Sequence, residues 1–235
     1  HAVRDVTLRH DLHALSPFFE FAIRHNWARA NPVKKVTIPS DAGSVTMHVL
    51  TAAEENVYFD YCLEKNHLDL HDLGRLMIQQ GCRPEELRQL EQADVDLEAS
   101  QLTIRKGKSP AARRSLKLTA ESREILARRL ETRNLWVFPS PIRVGRHLGN
   151  LQGTHNKVLE HAKVSFVPYD LRHTFATRAA ERGMPIATLA AVLGHANLRS
   201  VMKYVHVSQE HMDREMVRLD TTPIRAGRLQ SPIET

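Results

Sequence analysis

The sequence predicts a mostly α-helical domain carrying a small antiparallel β-sheet, an α+β arrangement. Three observations predict it. Apolar residues recur at helical spacing through most of the chain, as in residues 7–27, where Leu12, Leu15, Phe18, Phe19, Ala22 and Ile23 share one side. Helix punctuation recurs with them: Thr51 and Glu54 form a capping box, and Gly81, Gly183 and Gly194 each close a periodic run. Strict alternation is confined to one region, where Val95, Leu97, Leu102 and Ile104 alternate with polar residues and RRSLKL alternates again after KGKSPAA.

Taken in order, the first helical stretch contains Pro17, which kinks it or splits it in two. The segment ANPVKKVTIPSDAGSV follows and reads as an extended linker because of Pro32, Pro39 and Gly43. A helix then runs from Thr51 to about Asn66, and another from Leu68 to Gln80. GCRPEELRQLEQADVDL opens a short helix with Pro84 in its first turn. Short strands flank a basic loop, Thr119 caps a helix to about Glu131, and WVFPS reads as a buried extended piece. His147 to Ala162 reads as helical. The stretch from Val167 to Val207 gives a helix bearing Arg172, a short helix from Pro185 to Gly194, and a third helical run carrying Tyr204. Ser208 caps a final amphipathic helix to Leu219, with Met212, Met216, Val217 and Leu219 on its apolar side, and the tail beyond it is expected to be poorly ordered. The chain therefore divides into a helical piece and linker over 1–42, a main domain over 43–220, and a tail over 221–235.

The 235 residues are enough to bury a core, and 42% hydrophobic with 26% charged residues is ordinary for a globular protein. A formal net charge of +6 mildly favours a polyanionic partner. Cys62 and Cys82 form neither a disulfide framework nor a metal spacing, and point to buried free thiols in a reducing compartment. No apolar run reaches membrane-spanning length and no signal peptide is visible. His67 and His71 lie one helical turn apart without a third ligand and read as surface histidines, so no metal is expected. Neither GxxxxGK nor GxGxxG occurs after a strand, so no nucleotide cofactor is expected.

Arg172, His195 and Tyr204 all fall beside predicted helix ends, where side chains can converge on one anion. DLRHTFAT, then LGH, then a tyrosine nine positions past His195 resemble the second signature of the tyrosine recombinase (phage integrase) family, H-x-L-R-H-(T/S)-(F/A)-A-T followed by L-G-H. QQGCRPEELRQL resembles that family's first signature, T-G-x-R-x-S-E-x-x-x-L, with Arg83 and Glu86 in place and Pro84 and Glu85 departing from it. Tyr169 stands where the family usually has His. NWARANPV and the basic linker resemble the end of the family's N-terminal DNA-binding domain, and with an opening at His1 they point to a truncated version of that domain.

The resemblance implies a catalytic domain that breaks and rejoins double-stranded DNA without metal or cofactor, as a tetramer on DNA, in the cytoplasm. Tyr204 would be the nucleophile forming a 3′-phosphotyrosyl link, with Arg83, Arg172 and His195 stabilising the phosphorane. Lys106 in IRKGK would protonate the leaving 5′-oxygen, with Lys108 as the alternative, while Arg105, Arg113 and Arg114 would follow the DNA backbone. Tyr169 is the open position: a phenol titrates far from neutrality and makes a poor proton shuttle. It could support the phosphate, leave proton transfer to Lys106 and water, slow the chemistry, or compete with Tyr204. Rival readings are a type IB topoisomerase-like relaxer, a DNA-binding module of the same fold that has lost catalysis, and an unrelated helical adaptor.

Overall fold

A computed structural model describes residues 5–37, 47–107 and 112–204, together with Asp213, Met216 and Val217. The chain separates into two compact units, residues 1–47 and 48–235.

In the first unit one helix, α1 (Asp5–Arg24), runs unbroken through Pro17, so the expected split does not occur. The 3₁₀ turn Pro32–Lys35 is capped by Asn31, whose side chain accepts from the Val33 amide and donates to Glu20 Oε1 at 3.0 Å.

The second unit is built around α3 (Leu68–Gln80), which packs on α2 (Ala52–Glu64), α4 (Pro84–Arg88), α5 (Ala120–Leu130) and α7 (Pro168–Glu181). Eight of its thirteen residues are buried, including Leu73, Leu76 and Met77, as suits a helix with neighbours on several sides. The Thr51–Glu54 capping box starts α2, and Thr119 caps α5 through the Ser122 amide. A three-stranded antiparallel sheet runs in the order β1 (Val95–Asp96), β2 (Gln101–Ile104), β3 (Arg114–Lys117). Leu102 pairs with Leu116, and both face the core. The Cys62 and Cys82 thiols are free and buried.

Three expectations are corrected. Residues 147–151 precede α6 (Gln152–Ala162) without joining it, because Leu148 donates back to the Phe138 carbonyl and His147 bridges Pro139. Tyr204 lies past the end of a single helical turn, α9 (Arg199–Met202), instead of within it. His71 is not a surface residue: it is largely buried between Asp72 and the Phe59 ring. Of the expected helix Ser208–Leu219, only Asp213, Met216 and Val217 are described, and they are helical; Lys108 and the tail lie outside the described residues. Among the described residues no helix is long and apolar enough to cross a membrane.

Candidate active site

The site assembles at the C-terminal end of α8 (Ile186–Leu193), where unpaired carbonyls carry the negative end of the helix dipole. Arg172, from the second turn of α7, is fully buried and donates to Leu193 O and to Gly81 O, both at 2.6 Å. Arg83, immediately before α4, donates to the same Leu193 carbonyl at 3.3 Å. Arg114 on β3 donates through Nε to Val192 O at 2.5 Å. Three guanidiniums drawn from α7, β3 and the start of α4 therefore meet at one helix end.

Glu86 holds them together. Its carboxylate accepts from Arg83 Nη1 at 2.7 Å and from the Arg83 amide at 2.8 Å. Arg114 binds it in a fork, at 3.1 and 2.9 Å, and Arg172 Nη1 stands 3.9 Å away. Burial alone would raise the Glu86 pKa, but Arg114 and Arg83 outweigh it and hold the carboxyl below its usual range. Three arginines share this one carboxylate, so the cluster keeps an uncompensated positive charge in a place shielded from water. Burial also works against the charge on Arg172. Its Nε–H is buried and has no partner among the described residues, which leaves a strong donor without an acceptor.

Two glycines let the arginines approach. Gly81 closes α3 in the left-handed region at φ +62°, and its carbonyl is the Arg172 acceptor. Gly194, at φ +65°, closes α8, and an added Cβ would stand 2.8 Å from Arg114 Nη1 and 3.1 Å from the Ala112 backbone.

His195 follows Gly194, and its Nε2 lies 3.2 Å from Arg172 Nη2. Burial, then Arg172 and Arg83, push its pKa down to about 4, so the ring is neutral at pH 7. An arginine only donates, so Nε2 accepts and Nδ1 carries the proton, free to donate to an anion. Tyr169 sits edge-on to the His173 ring, with its own ring 5.7 Å from the Arg172 Cζ.

Tyr204 is 2% exposed, and its hydroxyl lies 2.6 Å from His173 Nδ1. Burial, and then Tyr169, push its pKa up to about 12, while Arg172 and Arg83 pull the other way. The phenol is therefore protonated and is the donor in that bond. His173 was not singled out from the sequence. The available signal was its spacing: Tyr169 and His173 are four residues apart on α7, hence on one helical face.

A cleft of about 520 Å³ opens beside the cluster, lined by Arg83, Glu86, Lys106, Tyr169 and Gly194 among others. Lys106 borders it with its ammonium 3.0 Å from Glu91 Oε1 and over the Trp136 ring. Arg105 pairs with Asp94 and Arg113 is exposed. Arg114 departs from expectation: its side chain is 7% exposed and clasps Glu86, so it builds the site instead of following a DNA backbone. Arg83, Lys106, Tyr169, Arg172, His195 and Tyr204 thus lie on one region of the second unit, with His173, Glu86 and Arg114 added to them. Among the described residues no group of three or more His, Cys, Asp or Glu could hold a metal ion.

A buried cluster of guanidiniums at a helix end, with a protonated tyrosine hydroxyl nearby, makes a centre suited to an anion. Residues 48–211 match the phage integrase family, and the chain belongs to that family. Tyrosine recombinase XerA of Thermococcus kodakarensis is 29% identical over 153 residues, 56% of this chain and 49% of XerA. Tyrosine recombinase XerD of Caulobacter vibrioides is 27% identical over 219 residues, 85% of this chain and 70% of XerD. The chain thus spans about half the length of the first relative and more of the second. In fold it is similar to the Tn1549 transposon integrase, solved in complex with a circular intermediate DNA, with a TM-score of 0.76 at 20% identity over 93% of this chain and 80% of that one.

Proposed function

We propose that this chain is a site-specific DNA recombinase that cuts and rejoins duplex DNA through Tyr204. The phenolic oxygen attacks a scissile phosphate, forming a 3′-phosphotyrosyl link and releasing a 5′-hydroxyl; a 5′-hydroxyl from a partner duplex then reverses the step. The bond energy stays in the protein–DNA link throughout. The observation that carries the reading is the excess positive charge around Glu86, set beside a hydroxyl able to attack. Arg83 and the Arg172 Nε–H supply donors that strengthen as charge grows on the phosphorane, and His195 adds its Nδ1–H. Lys106, on the rim of the cleft, protonates the leaving oxygen once it exchanges Glu91 for substrate. Strand exchange between two duplexes calls for a tetramer on DNA. Two buried thiols, Cys62 and Cys82, suit a reducing, cytoplasmic setting.

The test needs no knowledge of the target. The chain is incubated with a random duplex pool, quenched with denaturant and assayed for covalent adducts. Adducts should form with the wild type and with Tyr169→Phe and vanish with Tyr204→Phe. Adducts that survive Tyr204→Phe and vanish with Tyr169→Phe would move the nucleophile to Tyr169.

A further inference from the structure

Deprotonation of the nucleophile is the step the recognised residues leave unassigned. Tyr204 needs a proton acceptor, and Tyr169, a phenol, is chemically unsuited to the task. The hydrogen bond at the Tyr204 hydroxyl goes elsewhere, to His173 Nδ1 at 2.6 Å, and both residues are buried.

We infer that His173 is the catalytic base for Tyr204, and that Tyr169 is the positioning residue that holds the His173 ring edge-to-face. This rests on the strand-transfer reading above. Three features support it. The Tyr204 hydroxyl is the donor, so Nδ1 presents its lone pair and the neutral ring carries its proton on Nε2. The groups facing His173 are Asp170, Arg172 and Tyr169 on its own helix and Lys203 and Tyr204 from beyond α9; burial, then Lys203, push its pKa down to about 4, with Arg172 adding to this and Asp170 opposing it. The ring is therefore an unprotonated acceptor at physiological pH. The phosphorane forming at the arginines carries one more negative charge than the bound phosphodiester, which favours an imidazolium at the moment the proton arrives.

The step balances. The Tyr204 Oη–P bond forms as the P–O5′ bond breaks, the phenolic proton passes to His173 Nδ1, and the leaving oxygen takes a proton from Lys106. On rejoining, the incoming 5′-hydroxyl gives its proton back to Lys106, and His173 returns its proton to the departing phenol.

The test uses duplexes that the wild-type chain has captured from the random pool, made with oxygen and with sulfur at the 5′-bridging position. A thiolate leaves without a proton, so sulfur relieves the need for Lys106 and leaves the need for a base at Tyr204. His173→Asn keeps an oxygen near the Nδ1 position that can accept the hydrogen bond but cannot take the proton. Adduct formation by His173→Asn should fall about 10²–10⁴-fold on both substrates. Lys106→Ala should recover on sulfur. The His173→Asn rate should climb with pH, and difluorotyrosine at position 204, a more acidic phenol, should restore it. His173→Asn with the wild-type rate and pH profile on both substrates overturns the inference. So does a loss that difluorotyrosine fails to restore while melting temperature and DNA binding are unchanged, since that marks a packing role. A wild-type chain that binds duplex yet captures none overturns the strand-transfer reading itself, and the assignment of His173 with it.

Discussion

His173 is 6% exposed and faces Lys203 and Arg172, so a proton added to it places charge where little water can solvate it. Burial and then Lys203 push its pKa down to about 4, below the ordinary imidazole value of about 6.5, and burial and then Arg172 push His195 down to about 4 as well. The unfolded chain therefore binds protons first as pH falls, and stability is full above pH 6.5 and drains away between about 6.5 and 4. For His173 the loss is on the order of 3 kcal/mol. Urea unfolding across this window should show the midpoint dropping, and His173→Asn should flatten the dependence; a midpoint constant down to pH 4 would contradict the burial argument. Glu86 acts in the same sense, at lower pH. Its depressed pKa contributes stability above the ordinary glutamate range that is lost as pH falls below it. Glu86→Gln should destabilise the domain by about 3–5 kcal/mol, because it removes the carboxylate from three guanidiniums at once. Arg83, Arg172 and Tyr204 could be picked out in the sequence from their spacing to fixed local motifs. Arg114 as the partner of Glu86, 28 residues away, could not, because such pairing is decided by packing and leaves no local pattern.

Helix boundaries were legible wherever a local rule sets them. Thr51 and Thr119 cap helices, Pro84 opens one at its first position, and Gly81 and Gly194 close helices, each set by residues within one turn. The start of α6 was misplaced because residues 147–148 pair with Pro139 and Phe138, a choice that helical periodicity does not reveal. The glycines allow a controlled test of how α8 holds the site. Gly183 and Gly194 both have positive φ, at +82° and +65°, yet an alanine methyl at 183 meets nothing within 4 Å, whereas at 194 it meets Arg114 and the Ala112 backbone. Gly183→Ala should lose only the cost of a strained conformation, about 1 kcal/mol. Gly194→Ala should lose on the order of 1–3 kcal/mol more and also reduce adduct formation, because Arg114 must move and Glu86 moves with it. Equal melting temperatures for the two variants would show that the close approach at Gly194 has no energetic weight.

At the scale of the whole chain, a formal charge of +6 says little until the cations are sorted by where they lie. Arg114 is committed inside the protein to the Val192 and Ala112 carbonyls and to Glu86, which engages each of its guanidinium nitrogens and leaves little for a DNA phosphate in this arrangement. Arg113 is exposed and follows the cleft-lining Ala112, and Lys106 is exposed on the cleft rim, where its partner Glu91 can be exchanged for a phosphate. Binding to non-specific duplex should weaken with salt, and the slope of log K against log salt counts the phosphates neutralised, at roughly 0.9 each. Arg113→Ala and Lys106→Ala should each lower that slope by roughly one unit while leaving the melting temperature within a degree or two. Arg114→Ala should do the reverse, leaving the slope in place and lowering the melting temperature, since it strips Glu86 of its two-pronged partner. If the slope falls equally in all three variants, then Arg114 leaves Glu86 to meet the DNA, and the arginine cluster is a substrate-responsive assembly instead of a prebuilt one.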